Sequence, residues 1–202
     1  CKTWIGSTVM TSNNNDNRTG LLHSALTLFA TRGYDAVGVQ EIVENAGVTK
    51  PTLYHYFGNK LGLLETLLEE NFRGLKVVYE IANTYNGDLT FTLTQIATAY
   101  FHYAQAHPSF YRLQLSLWFA PPHSEAYHAV VKYQERQQQT LETLFLRAAE
   151  NHGNMRGRHR AYAATFLGML NTYIGLALND YVQLNDELVY QALHQFMHGI
   201  FS

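Results

Sequence analysis

The sequence predicts an all-α protein, and three observations carry that expectation. Apolar residues recur at spacings of three and four along most of the chain, as they do on the buried face of a helix. Starting and stopping residues fall at the ends of those runs, with Thr49, Pro51 and Asn59 at starts and Gly33 and Gly47 at stops. No stretch reads convincingly as a strand, and no internal repeat is present.

Residues 1–17 end in the polar run Thr11-Ser12-Asn13-Asn14-Asn15-Asp16-Asn17 and read as a flexible tail. From Arg18 a first helix carries Leu21, Leu22, Ala25, Leu26, Phe29 and Ala30 on its apolar face, and Gly33 stops it. A short second helix carries Val39, Ile42, Val43 and Ala46 and is broken by Gly47. Thr49 can cap a third, which tolerates Pro51 because first-turn N–H groups have no helical partner in any case. That helix runs through Leu53 to Phe57-Gly58.

Asn59 can cap a long fourth helix over residues 60–83. A loop at Tyr85-Asn86-Gly87-Asp88 leads to a fifth over 89–106, and His107-Pro108 starts a sixth that reaches 119. Pro121-Pro122 is the firmest break in the chain. A seventh helix follows over 124–150, then His152-Gly153-Asn154, an eighth over 158–181 and a ninth over 186–200. About nine helices result, short ones first and long ones after.

Composition narrows the function classes. Of 202 residues 47% are hydrophobic and 13% aromatic, but only 15% are charged, against roughly 25% in soluble proteins generally. A large core is within reach, and the aromatic excess points to a bulky pocket, a large interface or both. The net charge of -2 argues against a protein that coats nucleic acid non-specifically. Residues 1–62 hold five Lys and Arg against four acids, leaving nine against twelve in the rest, so a few well-placed cations could still serve DNA. Cys1 is the one cysteine, which excludes an internal disulfide and a cysteine metal cage. No apolar run approaches the ~20 residues of a membrane span, and the first ten residues lack a signal-peptide layout. A cytoplasmic location is the expectation, with no membrane partner.

Two short helices joined by a tight turn can seat the second in a DNA major groove while the first braces it. Here the turn is Ala46-Gly47-Val48, with Gly47 supplying a backbone conformation that a Cβ resists. Ile42, Val48 and Leu53 can pack inward, leaving Lys50, Thr52, His55, Tyr54 and Tyr56 around the reading helix. A run from Phe29-Ala30-Thr31-Arg32-Gly33-Tyr34 through Val39-Gln40-Glu41-Ile42-Val43-Glu44-Asn45-Ala46-Gly47-Val48 to Thr49-Lys50-Pro51-Thr52-Leu53-Tyr54-His55-Tyr56-Phe57-Gly58-Asn59-Lys60 resembles the TetR family of bacterial regulators. The resemblance covers about residues 18–68, and beyond them extends only to helix number and length.

That resemblance implies a helix-turn-helix DNA-binding domain over residues 18–62 and a helical ligand-binding and dimerisation domain over 63–202. It places Gln40, Thr49, Lys50, Pro51, Thr52, Tyr54, His55, Tyr56 and Lys60 at double-stranded operator DNA. Gln40 stands where the bracing helix touches a base or phosphate, and Lys50, Pro51 and Thr52 stand where the reading helix meets base edges. Lys60, opening the fourth helix, suits a phosphate. Three positions depart from the family pattern. The histidine of Tyr54-His55-Tyr56-Phe57 is displaced by one, Gly38 replaces a capping Ser or Thr, and Lys60-Leu61-Gly62 replaces a frequent Lys-Glu pair.

In the body, Tyr100, Tyr103, Phe110, Trp118, Tyr127, Phe166 and Tyr173 are either core or the walls of a cavity for a small apolar or aromatic effector. The eighth helix carries small residues, among them Ala164, Gly168, Thr172 and Gly175, and the ninth an apolar stripe of Leu193, Phe196, Met197 and Ile200. These two resemble the four-helix dimer interface of TetR-like proteins and imply a homodimer on a near-palindromic site. Ten histidines invite a metal reading, but His194 with His198, and His123 with His128, lack a third ligand, so neither metal nor other cofactor is expected. No nucleophile elbow, phosphate loop or His-Glu-x-x-His run is present, and an enzyme is not expected. The working expectation is a repressor released by its effector through a tilt of the fourth helix. A ligand-independent or activating regulator is the alternative, ahead of an enzyme or a metal sensor.

Overall fold

The protein is described by a computed structural model over residues 9–198. Those residues form ten α-helices and no strand: α1 (Val9–Arg32), α2 (Val39–Asn45), α3 (Lys50–Phe57), α4 (Lys60–Gly74), α5 (Lys76–Asn83), α6 (Leu89–Ala106), α7 (Pro108–Trp118), α8 (Glu125–Asn151), α9 (His159–Ala177) and α10 (Asp186–His198). A single 3-10 turn, Gly153–Met155, joins α8 to α9.

The apolar face of α1, Leu21, Ala25 and Phe29, is wholly buried, together with Ile42 of α2 and Leu53 of α3. Spacing by four stacks the α1 side chains on one face, against which the two short helices close. The buried Ser24 hydroxyl lies 3.0 Å from both the Ile42 carbonyl and the Asn45 side-chain oxygen, tying the end of α2 to α1. α1 starts at Val9, so residues 9–17 continue the helix where a tail was expected, while residues 1–8 of that tail lie outside the described residues. An anchored helix extends without a new nucleation step, and Asn or Ser opposes each added residue by only about half a kcal/mol. The anchor is Arg18, which pairs with Glu70 at 2.5 Å and lies over the Phe57 ring.

The helix expected over residues 60–83 is two, α4 and α5, parted at Leu75. α8, about 40 Å long at 1.5 Å per residue, is the spine of the body and packs against α4, α5, α7 and α9. α10 packs mainly on α6, with Phe196 reaching Phe166 of α9. α9 stops at Ala177, four residues short of expectation. Asp180 adopts a left-handed φ of 61° and the Tyr181 N–H returns to the Leu176 carbonyl at 3.1 Å, a closure that ends helices.

Candidate nucleic-acid interface

The turn between α2 and α3 is closed from within. Gly47 has φ +66°, and the Val48 N–H donates to the Val43 carbonyl at 2.9 Å, which satisfies a helix-end acceptor that would otherwise lack a partner. Leu53 and Phe57 fix α3 from beneath, at 0% and 8% exposure. The opposite side of α3 faces solvent, with Lys50, Pro51, Tyr54 and His55 exposed and Thr52 and Tyr56 half-buried. Thr49 occupies the N-cap position, with extended φ -107° and ψ 159°. Its hydroxyl, however, meets the Thr52 hydroxyl at 3.0 Å instead of a backbone N–H. The Tyr56 ring contacts Phe57 at 6.0 Å and the edge of His55 at 5.2 Å. Tyr56 therefore leans on the core and His55 stands outside, which gives the displaced histidine the outward place.

Gln40 is exposed on α2, but its amide nitrogen donates to Glu44 at 2.5 Å on the same helix. Its carbonyl oxygen is the group left to accept from a base amine. Gly38 takes the N-cap position of α2 with no side-chain bond.

Lys60 departs from its expected place at a phosphate. Its ammonium donates to the Tyr34 carbonyl at 3.0 Å and the Val37 carbonyl at 3.1 Å, and it lies 4.1 Å from the Tyr34 ring centre. An ammonium at the positive end of α4 is repelled by that helix's own dipole and drawn to loop carbonyls. Two of its three donors thus fasten the α1–α2 connection from inside.

Beside it, Asn59 caps α4 by accepting from the Gly62 N–H at 2.8 Å. A Cβ at Gly62 would collide with the Phe57 carbonyl, so the glycine lets the start of α4 close tightly on the end of α3. The remaining cations of the head are also paired. Arg18 meets Glu70, and Arg32 meets Glu41 and the Ala36 carbonyl. Among the described residues between 18 and 62, Lys50 is the Lys or Arg without a partner.

Residues 21–67 match the family model described as bacterial regulatory proteins, tetR family. That stretch is the head just described together with the first half of α4. The head of this chain is thus a TetR-type helix-turn-helix region. Among the relatives the chain matches is the HTH-type transcriptional activator FasR of Mycolicibacterium smegmatis, 35% identical over 99 residues, 48% of this chain and 45% of FasR. The transcriptional repressor KstR2 of Rhodococcus jostii is 42% identical over 64 residues, 32% of this chain and 29% of KstR2. These matches span less than half the length of either relative. The whole fold resembles the fatty acid degradation regulator FadR of Bacillus halodurans, at a TM-score of 0.74 and 20% identity over 92% of this chain and 96% of that one. It also resembles FadR of Bacillus subtilis, solved in complex with stearoyl-CoA, with a TM-score of 0.74 and 19% identity over 90% and 98% of the two chains.

The body distributes the seven expected pocket aromatics instead of gathering them. Tyr100, Phe110 and Phe166 are wholly buried in packed core. Tyr103 is tied to the Asn71 carbonyl, Tyr127 and Tyr173 are half-buried on α8 and α9, and Trp118 is 40% exposed beside a groove of about 390 Å³ over Ala164, Gly168 and Thr172. A cleft of about 560 Å³ opens elsewhere, between α6, α8, α9 and α10, walled by Leu93, Phe145, Tyr162, Phe196 and Met197 with His152 at its side. Phe166 stands behind it, 5.4 Å from the Phe196 ring.

Of the expected association residues, Ala164, Gly168 and Thr172 face outward on α9 and Gly175 is half-buried. Leu193 is 5% exposed and Phe196 packs on Phe145 and Phe166, so both belong to the protomer's own core. Met197 is exposed, with its sulfur 3.6 Å from the Thr90 hydroxyl, and Ile200 lies outside the described residues. No helix among the described residues is long and apolar enough to cross a membrane.

Proposed function

We propose that the chain is a homodimeric, cytoplasmic transcription regulator that reads a near-palindromic operator with α3 and is released from it by a small apolar or aromatic effector. The observation that carries this reading is the two-sided α3. Leu53 and Phe57 anchor it in the head, while Lys50, Pro51, Tyr54 and His55 stand in solvent on a glycine turn. A helix held in this way can enter a major groove without disturbing its own support. Thr49, Thr52, Tyr56 and the Gln40 carbonyl complete the surface, with residues 18–62 as the reading domain. Residues 63–202 form the effector and dimer domain.

The outward small residues of α9 permit close approach of a second copy, which would set two heads on a two-fold axis. For the effector, the cleft at Phe145, Tyr162 and Phe196 offers apolar walls of drug-like volume. The stearoyl-CoA bound by one structural neighbour supports an apolar chain as one candidate class. An activating regulator is the second reading, favoured by the activator FasR among the relatives.

The test is selection of duplexes from a random pool by the purified protein, followed by gel retention. We expect a symmetric site to emerge, and Lys50→Ala with Tyr54→Ala to abolish retention with an unchanged far-UV CD spectrum. Retention that survives both substitutions would remove α3 from the interface.

A further inference from the structure

Besides the continuation into α4 and the packing of α1 on α7, the head meets the body through a polar contact. We propose that this contact, between Tyr34 of the α1–α2 loop and Glu125 at the start of α8, positions the reading head relative to the body. Tyr34 is 4% exposed, and its hydroxyl donates to Glu125 Oε2 at 3.0 Å across 91 residues of sequence. Its ring meets Phe29 at 5.2 Å on one side and the Lys60 ammonium at 4.1 Å on another. Lys60 in turn holds the carbonyls of Tyr34 and Val37. One phenol therefore joins three helix ends: the end of α1, the first residue of α4 and the first turn of α8.

The members of this joint reinforce one another. A hydrogen bond donated to a carboxylate is stronger than one between neutral groups. It also shifts electron density into the phenol ring, which strengthens the pull on the ammonium above its face. Burial first, and then Glu125, push the Tyr34 phenol far above its ordinary range, so it stays a donor. Glu125 is set by α8 itself, since a carboxylate suits a helix N-terminus and the Ser124 side chain caps the same turn at the Tyr127 N–H, 3.1 Å away. α2 begins two residues after Val37, and α3 is built on α2. A displacement of α8 thus has a route to the reading helix through one hydrogen bond, beside the routes through α4 and the α1–α7 packing.

As an account of operator recognition this rests on the DNA-binding reading above; as an account of the joint it does not. The test therefore has two arms. In the full chain carrying Cys1→Ser, spin labels on cysteines introduced at the exposed Glu44 and Glu150 report head-to-body distances, with unlabelled chain in excess so that each distance lies within one chain. A narrow distribution is expected in the parent. Tyr34→Phe and Glu125→Ala should each broaden it to a similar extent, and the double variant should broaden it no further. Glu125→Gln, which keeps an acceptor oxygen but not the charge, should recover much of the narrowness. A charge effect on α8 alone would leave that variant as broad as Glu125→Ala and would overturn the proposal, as would an unchanged distribution in Tyr34→Phe. If Tyr34→Phe does not fold, the Glu125 pair decides, since that side chain is exposed.

In the second arm, affinity for the duplex selected by the parent should fall about tenfold in Tyr34→Phe, within the usual range of coupling between sites. Broadened distances with undiminished affinity would overturn the positioning role. A parent that selects no duplex would overturn the DNA-binding reading instead, and the distances would still decide the joint.

Discussion

The Tyr103 hydroxyl donates to the Asn71 carbonyl at 2.5 Å, the acceptor that the Leu75 N–H would take in an unbroken helix. Leu75 turns instead to the Phe72 carbonyl at 3.1 Å. The edge of the Tyr103 ring fills the place of a Cβ on Gly74, with Cε2 2.5 Å from it. A side chain from α6 is thus wedged into the ladder between α4 and α5, and the connecting helix bends where it enters the body.

Gly74→Ala tests that wedge, because two effects oppose. Alanine favours a helix over glycine by about 1 kcal/mol. Forcing a methyl group into filled space costs about 1–3 kcal/mol. We expect the collision to win and the denaturation midpoint to fall in Gly74→Ala, then to recover in part when Tyr103→Leu removes the ring. A midpoint raised by Gly74→Ala alone would show that the ring yields freely.

Lys60 should behave as a structural residue. Lys60→Met leaves the carbonyls of Tyr34 and Val37 without their donor. The expected loss is about 1–3 kcal/mol, the cost of orphaning partly buried acceptors. Thermal melting in the absence of DNA is the measurement. An unchanged melting temperature would return the ammonium to the DNA surface.

The helix-turn-helix was legible because its signals are local. Gly47, the Thr49-Pro51 start, and Leu53 and Phe57 at spacing four each report on their own few residues. The wedge was not legible, since Tyr103 acts on a helix thirty residues earlier and the apolar period runs through residues 60–83 with Gly74 as the faint signal. Lys60 was placed by its position in a motif, whereas its direction is decided by carbonyls of a distant loop. In the body, periodicity separates buried from exposed aromatics but not a filled core from a cavity. Tyr100, Phe110 and Phe166 could therefore be named but not placed. For the same reason Leu193 and Phe196 read as surplus apolar surface until α10 is seen lying on α6.

Alkaline pH should unfold the protein in one step. Six phenols, on Tyr34, Tyr79, Tyr100, Tyr103, Tyr111 and Tyr133, are raised above their ordinary value, each chiefly by burial. The folded state thus holds these protons more tightly than the unfolded chain does. Their contribution is complete below the ordinary phenol value, roughly 10, and is lost as pH rises from there towards the folded values. Tyrosinate absorbance from these six and helical CD should then change together above about pH 10. Absorbance from these six appearing while the CD is still native would contradict their burial.

The solitary Lys50 has a consequence for how the operator is held. With Arg18, Arg32 and Lys60 paired, the described residues of the two heads in the proposed dimer bring two unpaired ammonium groups to the phosphates. Few counterions leave, so the slope of log affinity against log salt should be about -2, where a protein neutralising six to ten phosphates shows roughly -5 to -9. A slope steeper than about -5 would mean that the Arg18 and Arg32 pairs open on DNA. A shallow slope would make the proposed grip one of hydroxyls, rings and backbone, scarcely registering swings in ionic strength.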